Sequence, residues 1–289
     1  MRAIDEVMRM RHYDYRRYAQ NVLIGATAVV FAGGRLMPSH NQNGPVLRAA
    51  TAMVAGRPAE SSFGDVVGTA AIVSAETNAA LASLSGAVGP LSHPQALEDA
   101  FKSYFGYKSA HPADIKKPYL YFVDYGLPST QPRGYVFNMD SLKVEEGPFT
   151  VAHGRGSSTS QYGVPTRFSN ASGAQTTSLG LYVTKALYAF HGKTGGRSYS
   201  SIGLKLDGVS KGYNDQAMAR GVVAHGAPYV TPTKAGRSEG CPAMEPSRAQ
   251  ELLPKLADGA MVFLFAPDSK WMAGDQWLAG TATSSEAGA

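Results

Sequence analysis

The alternation of apolar and polar positions changes character near residue 91. Before it, residues 36–90 are rich in Ala, Gly, Ser and Pro, carry little charge and show no strong period, the pattern of a low-complexity linker or loosely ordered pro-region. After it, Ser92 and Gln95 have the spacing of a capping box. Leu97, Phe101, Tyr104 and Phe105 fall on one face of the helix that would follow, with Gly106 placed to end it. The period then shortens. Residues 119–125, 134–137 and 149–153 are short aromatic or β-branched runs that predict strands, and 178–188 predicts another. Residues 211–214 carry a turn signal, and 218–225 form an apolar run ending in Val222, Val223 and Ala224. A helix is predicted over 246–257 with Ala249, Leu252, Leu253 and Leu256 on its apolar side, and a closing buried strand over 260–265. The folded unit is therefore placed at 91–275, mainly β with a few helices. Residues 276–289, small and polar, read as a disordered tail.

Composition narrows this picture. A chain of 289 residues suggests two domains or one large β domain with tails, and 44% hydrophobic residues exclude a wholly disordered chain. The 32 glycines and 17 prolines favour a turn-rich β protein over a helical bundle. No apolar run is long enough to span a bilayer. The single cysteine excludes an intrachain disulfide and a cysteine-rich metal site. The net charge of +5 is spread along the chain rather than clustered, so nucleic acid is not the expected partner. Arg2, Arg9, Arg11, Arg16 and Arg17 precede an apolar run at 22–32, the order of a secretory signal. Residues 1–35 are read as a signal peptide or anchor-like segment, with a short buried or amphipathic helix as the alternative. The expected location is the periplasm or cell envelope, with membrane contact only through that N-terminal segment.

The chemistry concentrates in residues 222–243, VVAHGAPYVTPTKAGRSEGCPA. His225 ends a predicted buried strand and is followed by Gly226. A loop with Pro228, Pro232 and Gly236 can then bring Cys241 back toward it. Taken singly, Cys241 reads equally as a small buried apolar residue and His225 as a satisfied core histidine. Together they form a nucleophile and base pair. Gly240 permits close backbone approach to an acyl group, and the N–H groups of Gly240 and Cys241 are candidates for an oxyanion hole. His153, His191 and His225 are each followed by glycine, but their spacing matches no compact metal motif, so neither metal nor cofactor is assigned. His153 is placed at a strand end near the cleft, and His191 in a glycine-rich loop. GKTGG at 192–196 lacks the phosphate-loop frame.

HGAPY at 225–229 and SEGC at 238–241 resemble, in order and spacing, the catalytic signature of the YkuD-type L,D-transpeptidases. The similarity is closest to the divergent branch termed the murein L,D-transpeptidase catalytic domain family. VAHGRGS at 151–157, FSN at 168–170 and SLGLY at 178–182 extend it over roughly residues 95–268. The resemblance implies a mostly β catalytic fold and cysteine acyl transfer on peptidoglycan tetrapeptide stems. It implies Cys241 as nucleophile, His225 as base, the Gly226 carbonyl orienting the imidazole, Gly240 and Cys241 holding the oxyanion, and Ser238 shaping the loop. Tyr229, Arg237, Glu239 and His153 are candidates for lining the substrate site.

Two positions depart from the family: the asparagine or similar polar residue often found two positions after the cysteine is Ala243 here, and the other departure lies before it. The common pattern has histidine directly before Gly-Cys, and here Glu239 stands there. A carboxylate near the thiol opposes thiolate formation, and Arg237 is the candidate for neutralising it. Three outcomes stay open: transfer to an amine acceptor, L,D-carboxypeptidase trimming by water, and a wall-binding relic with little turnover. A papain-like peptidase is disfavoured because here the histidine precedes the cysteine.

Overall fold

The computed structural model describes residues 63–279. The proposed N-terminal signal, the first part of the 36–90 segment and the end of the C-terminal tail lie outside the described residues. The remainder of the 36–90 segment contains a helix, α1 (Phe63–Leu84). This corrects the linker expectation for that part. Alanines on every side of the helix hide its period, but Val73, Thr77, Ala80 and Leu84 form one buried stripe, packed on the next helix.

That helix, α2 (Ala96–Ala110), has no side-chain cap. The expected capping box is absent because Ser92 is used elsewhere. Its N–H and hydroxyl both donate to Asp124, at 2.7 and 2.6 Å. Gly106 does not end the helix either. A further turn follows, carrying Tyr107 against Trp277 (centroids 5.1 Å), and the helix stops before His111-Pro112. The predicted apolar face is buried, with Phe101 set edge-on to Phe137 at 5.4 Å.

The chain then builds a mixed sheet of eight strands in the order β11-β7-β6-β5-β12-β1-β2-β3. Its centre is β1 (Tyr119–Asp124), parallel to β12 (Met261–Phe265). On one side β2 (Gly134–Asn138) and β3 (Lys143–Phe149) continue antiparallel. On the other, β12 pairs antiparallel with β5 (Gly180–Thr194), which turns into β6 (Arg197–Gly208). Then come β7 (Val223–Gly226) and, parallel to it, the two-residue β11 (Ala243–Met244). Two small ladders complete the strands: β4 (His153–Gly154) with β10 (Arg237–Ser238), and β8 (Val230–Thr231) with β9 (Lys234–Ala235). Helix α3 (Pro246–Leu256) packs on β7, β6 and β5 with its four expected residues buried. A short α4 (Ser269–Gly274) is capped by Asp268, whose carboxylate accepts from the Trp271 N–H.

The architecture is sheet-dominated with few helices, as the patterning implies. Several strands were not legible, among them β3, β6 and the two-residue β8 to β11. β3 is the outer edge of the sheet, and its Glu145 and Glu146 pair with Lys255 and Arg248. Charge therefore replaces apolar alternation. The strand expected over 149–153 is split accordingly: β3 ends at Phe149 and β4 begins at His153. His191 is not in a loop but in β5. Gly195 and Gly196, both with positive φ, make a two-residue turn between Thr194 and Arg197. The run 218–225 is strand only from Val223, and Met218 is exposed in a turn. The tail expectation fails over its first residues: Leu278 is buried, and the Trp277 indole donates to the Val209 carbonyl at 2.7 Å.

Candidate active site

The site stands at the β7–β11 edge. β7 is inner enough to be buried along its length, so it ends in a fixed direction. In the parallel ladder Ala243 lies opposite His225, and the His225 N–H donates to the Pro242 carbonyl at 3.4 Å. The same register carries Cys241 back to the level of Val223, two residues before the histidine. There the Val223 N–H donates to the Cys241 sulfur, and the thiol lies 3.9 Å from the Gly221 carbonyl. The thiol's protein partners are thus backbone groups at the start of β7 rather than the imidazole. Cys241 is half-buried.

His225 is 2% exposed. Its Nδ1 donates to the Gly226 carbonyl at 3.1 Å, since a carbonyl can only accept. That fixes the proton on Nδ1 and leaves Nε2 with a lone pair. The Phe190 ring stacks on the imidazole, centroids 4.1 Å apart at 20°. Burial lowers the His225 pKa to about 4, against the opposing pull of the Gly226 carbonyl. Burial raises the Cys241 thiol, while the Val223 N–H and Arg220 favour its thiolate and Glu239 opposes it. Both groups are biased to their neutral forms, so the arrangement suits proton transfer during attack better than a resting ion pair. Gly226 is required by packing, because a Cβ there would meet Ser201 Oγ at 2.5 Å and Ala249 Cβ at 2.9 Å.

The loop before Cys241 is held by side-chain to backbone bonds. Ser238 Oγ donates to the Cys241 carbonyl at 2.7 Å and accepts from the Gly240 N–H at 3.1 Å. The Gly240 N–H is therefore already engaged, which corrects its assignment as a free oxyanion donor. Gly240 instead supplies conformation: its φ is +125°, and a Cβ there would lie 2.8 Å from the Thr176 carbonyl.

Glu239 is turned outward and pairs with Arg155 at 2.8 Å. This replaces Arg237 as the expected counter-ion. Arg237 donates to the Ser158 carbonyl at 3.2 Å. Arg155 lies in the VAHGRGS stretch, but nothing in its spacing announced the pair.

His153 does not line the cleft, because it is fully buried in β4, where it pairs with Arg237 of β10. Its Nδ1 accepts from Arg133 at 2.9 Å, and burial together with Arg133 and Arg237 lowers its pKa to about 3. Arg133 is itself fully buried, bonded to the Val151 and Leu127 carbonyls and set over the Tyr125 ring. Tyr229 is half-buried, edge-on to Tyr199 and hydrogen-bonded to it through their hydroxyls. Phe190 also packs on Tyr188 and Tyr199, so the β5–β6 hairpin forms an aromatic wall beside His225. A shallow depression of about 460 Å³ runs along the same hairpin between His191 and Ser200, and Tyr199 belongs to both. The polar pattern of the hairpin had hidden this wall. Among the described residues no three His, Cys, Asp or Glu side chains converge as a metal site, and no helix is long and apolar enough to cross a membrane.

Two solved structures show what the chain is similar to. An L,D-transpeptidase from Stackebrandtia nassauensis matches at 16% identity with a TM-score of 0.33, over 59% of this chain and 66% of its own. An L,D-transpeptidase from Mycobacterium smegmatis matches at 13% identity with a TM-score of 0.30, over 52% of this chain and 59% of its own. The chain thus spans less than two thirds of either. No curated protein matches it by sequence. The model of the L,D-transpeptidase catalytic domain matches residues 91–265, more than half of the chain and all the site residues above. This chain belongs to the L,D-transpeptidase catalytic domain family.

Proposed function

We propose that this chain is a cysteine-dependent L,D-transpeptidase of the cell envelope that acts on peptidoglycan stem peptides. The observation that carries the reading is the shared register of β7 and β11. It sets a half-buried thiol two residues from an imidazole whose Nε2 is free to accept a proton.

Cys241 Sγ attacks the carbonyl that links the L-centre of the third stem residue to the terminal D-residue. The thiol proton passes to His225 Nε2 as the S–C bond forms. The Cys241 N–H is the remaining loop donor for the oxyanion, since Ser238 holds the Gly240 N–H. Collapse breaks the C–N bond, and the imidazolium returns its proton to the departing amine of the D-residue. An acceptor amine then attacks the thioester, losing its proton to His225, and the Cys241 thiolate leaves and is reprotonated. Water in place of the amine gives L,D-carboxypeptidase trimming. The Phe190 ring, stacked on the imidazole, excludes water from one face of it, which favours transfer to an amine. Export through residues 1–35 would bring the enzyme to this substrate, and no cofactor is called for by the chemistry.

The test is incubation with disaccharide-tetrapeptide and analysis of products by mass spectrometry. Cross-linked or exchanged products that depend on Cys241 support the reading. Tripeptide alone would shift it to trimming, and no product from folded protein would make the chain a binding relic.

A further inference from the structure

The departure at Glu239 leaves the nucleophile without the cationic neighbour that a histidine at that position could supply, and Arg220 is the cation that stands near the thiol instead. Arg220 precedes Gly221, whose carbonyl lies 3.9 Å from the Cys241 sulfur. Its side chain is half-buried and folded over the loop that carries Gly240. One terminal nitrogen donates to the Ser169 carbonyl at 2.9 Å and to Ser178 Oγ at 3.2 Å, and the other to the Thr176 carbonyl at 2.9 Å. All three acceptors are neutral, so nothing bonded to the guanidinium cancels its charge. The second terminal nitrogen lies 3.7 Å from where a Cβ on Gly240 would stand. The guanidinium is therefore packed against the residue directly before the nucleophile. Glu239 is drawn away to Arg155.

We propose that Arg220 is the cation of this active centre, a positioning residue that favours the Cys241 thiolate while its fork locks the Ser169–Thr176 carbonyls over Gly240. The proposal rests on the reading of Cys241 as nucleophile. The direction of the electrostatics agrees: Arg220 lowers the cost of the thiolate, and Glu239 raises it. Besides His225, which burial keeps neutral, the other titratable groups coupled to the thiol are phenols, Tyr125, Tyr182, Tyr188, Tyr199 and Tyr229, whose pKa values are all raised above the ordinary one. They stay neutral through the range in which a thiol titrates.

Because Cys241 is the only cysteine, alkylation of the full chain by iodoacetamide reports on it alone. Its rate is measured against pH for the wild type, Arg220→Gln and Arg220→Lys, with folding checked by circular dichroism. Arg220→Gln keeps a donor for the Thr176 carbonyl but removes the charge. It is expected to move the profile to higher pH and slow alkylation at pH 7 about tenfold. Arg220→Lys keeps the charge and loses the fork, and its profile is expected to stay close to the wild type. An unmoved profile in Arg220→Gln overturns the proposal, and so does an equal displacement in both variants, which would assign the effect to the fork. If Arg220→Gln does not fold, Arg220→Met, uncharged and of similar length, takes its place: an unmoved profile overturns the proposal, and one displaced to higher pH while that of Arg220→Lys stays in place supports it. No substrate enters this measurement, so failure of the nucleophile assignment shows up separately, as turnover surviving in Cys241→Ala.

Discussion

The centre of the sheet and its β7–β11 edge are built by different means. In β1 and β12 all residues but Tyr119 are buried, and rings such as Phe122 and Phe263 fill the space between sheet and helices. Apolar burial of that kind is non-directional and tolerant of small errors in position. At the edge, β10 and β11 are two residues long, and the apolar cluster beneath them is small, made of Ala152, Ala227, Val230, Ala235 and Ala243. What fixes Cys241 there is a set of single directed bonds: Ser238 to its carbonyl, the Val223 N–H to its sulfur, the His225 N–H to Pro242. The lesson is a division of labour. The centre supplies stability, and the edge supplies geometry with little stability to spare.

Substitutions at the two places should therefore fail differently. Cys241→Ala is expected to abolish turnover while moving thermal unfolding little, since it removes one half-buried sulfur. His225→Ala should lower the rate of acyl-enzyme formation by about 10²–10⁴ through loss of the base. At the centre, Phe263→Ala should destabilise by about 3–5 kcal/mol, measured by urea unfolding, with the site's chemistry intact in the fraction that remains folded. A Phe263→Ala protein of unchanged stability, or a Cys241→Ala protein that fails to fold, would break the comparison.

The aromatic wall joins the two regions, and its removal should have an intermediate effect. Phe190→Ala opens the imidazole to water. The His225 pKa should rise from about 4 toward the ordinary value of about 6.5, carrying the acid limb of the kcat/KM profile to higher pH. The smallest effect concerns acid stability. His225 and His153 are buried neutral, with pKa values lowered to about 4 and about 3. Their contribution is present above about pH 6.5 and is lost as the pH falls toward those values, because the unfolded chain then binds more protons. Asp99, raised to about 6 chiefly by burial, acts the other way and offsets part of the loss. A net decrease on the order of 2 kcal/mol between pH 7.5 and 4.5 is expected from urea unfolding. In His153→Gln, which keeps an acceptor for Arg133, the slope should flatten.

Legibility in the sequence follows the same division. The buried faces of α2 and α3 and the strands β1, β2 and β12 could be read from spacing alone, because apolar burial leaves a period. The strands β3 and β6 could not, since an edge strand and a protruding hairpin carry charge and hydroxyls where a core strand carries valine. Helix α1 was hidden by alanine, which marks no face. At the site, His225, Gly226, Ser238, Gly240 and Cys241 stand in one short stretch and were legible together. Arg155, Phe190 and Arg220 were not. Each reaches the site from a distant segment, and an arginine bonded to carbonyls of Ser169 and Thr176 leaves no residue-type signature at either end.

The most direct test of the account is the intact mass of the protein after brief exposure to disaccharide-tetrapeptide. The account predicts an adduct equal to the substrate less its terminal D-residue, located on Cys241 by peptide mapping, slow to form in His225→Ala and absent in Cys241→Ala. Release of the D-residue by Cys241→Ala at the wild-type rate would contradict it.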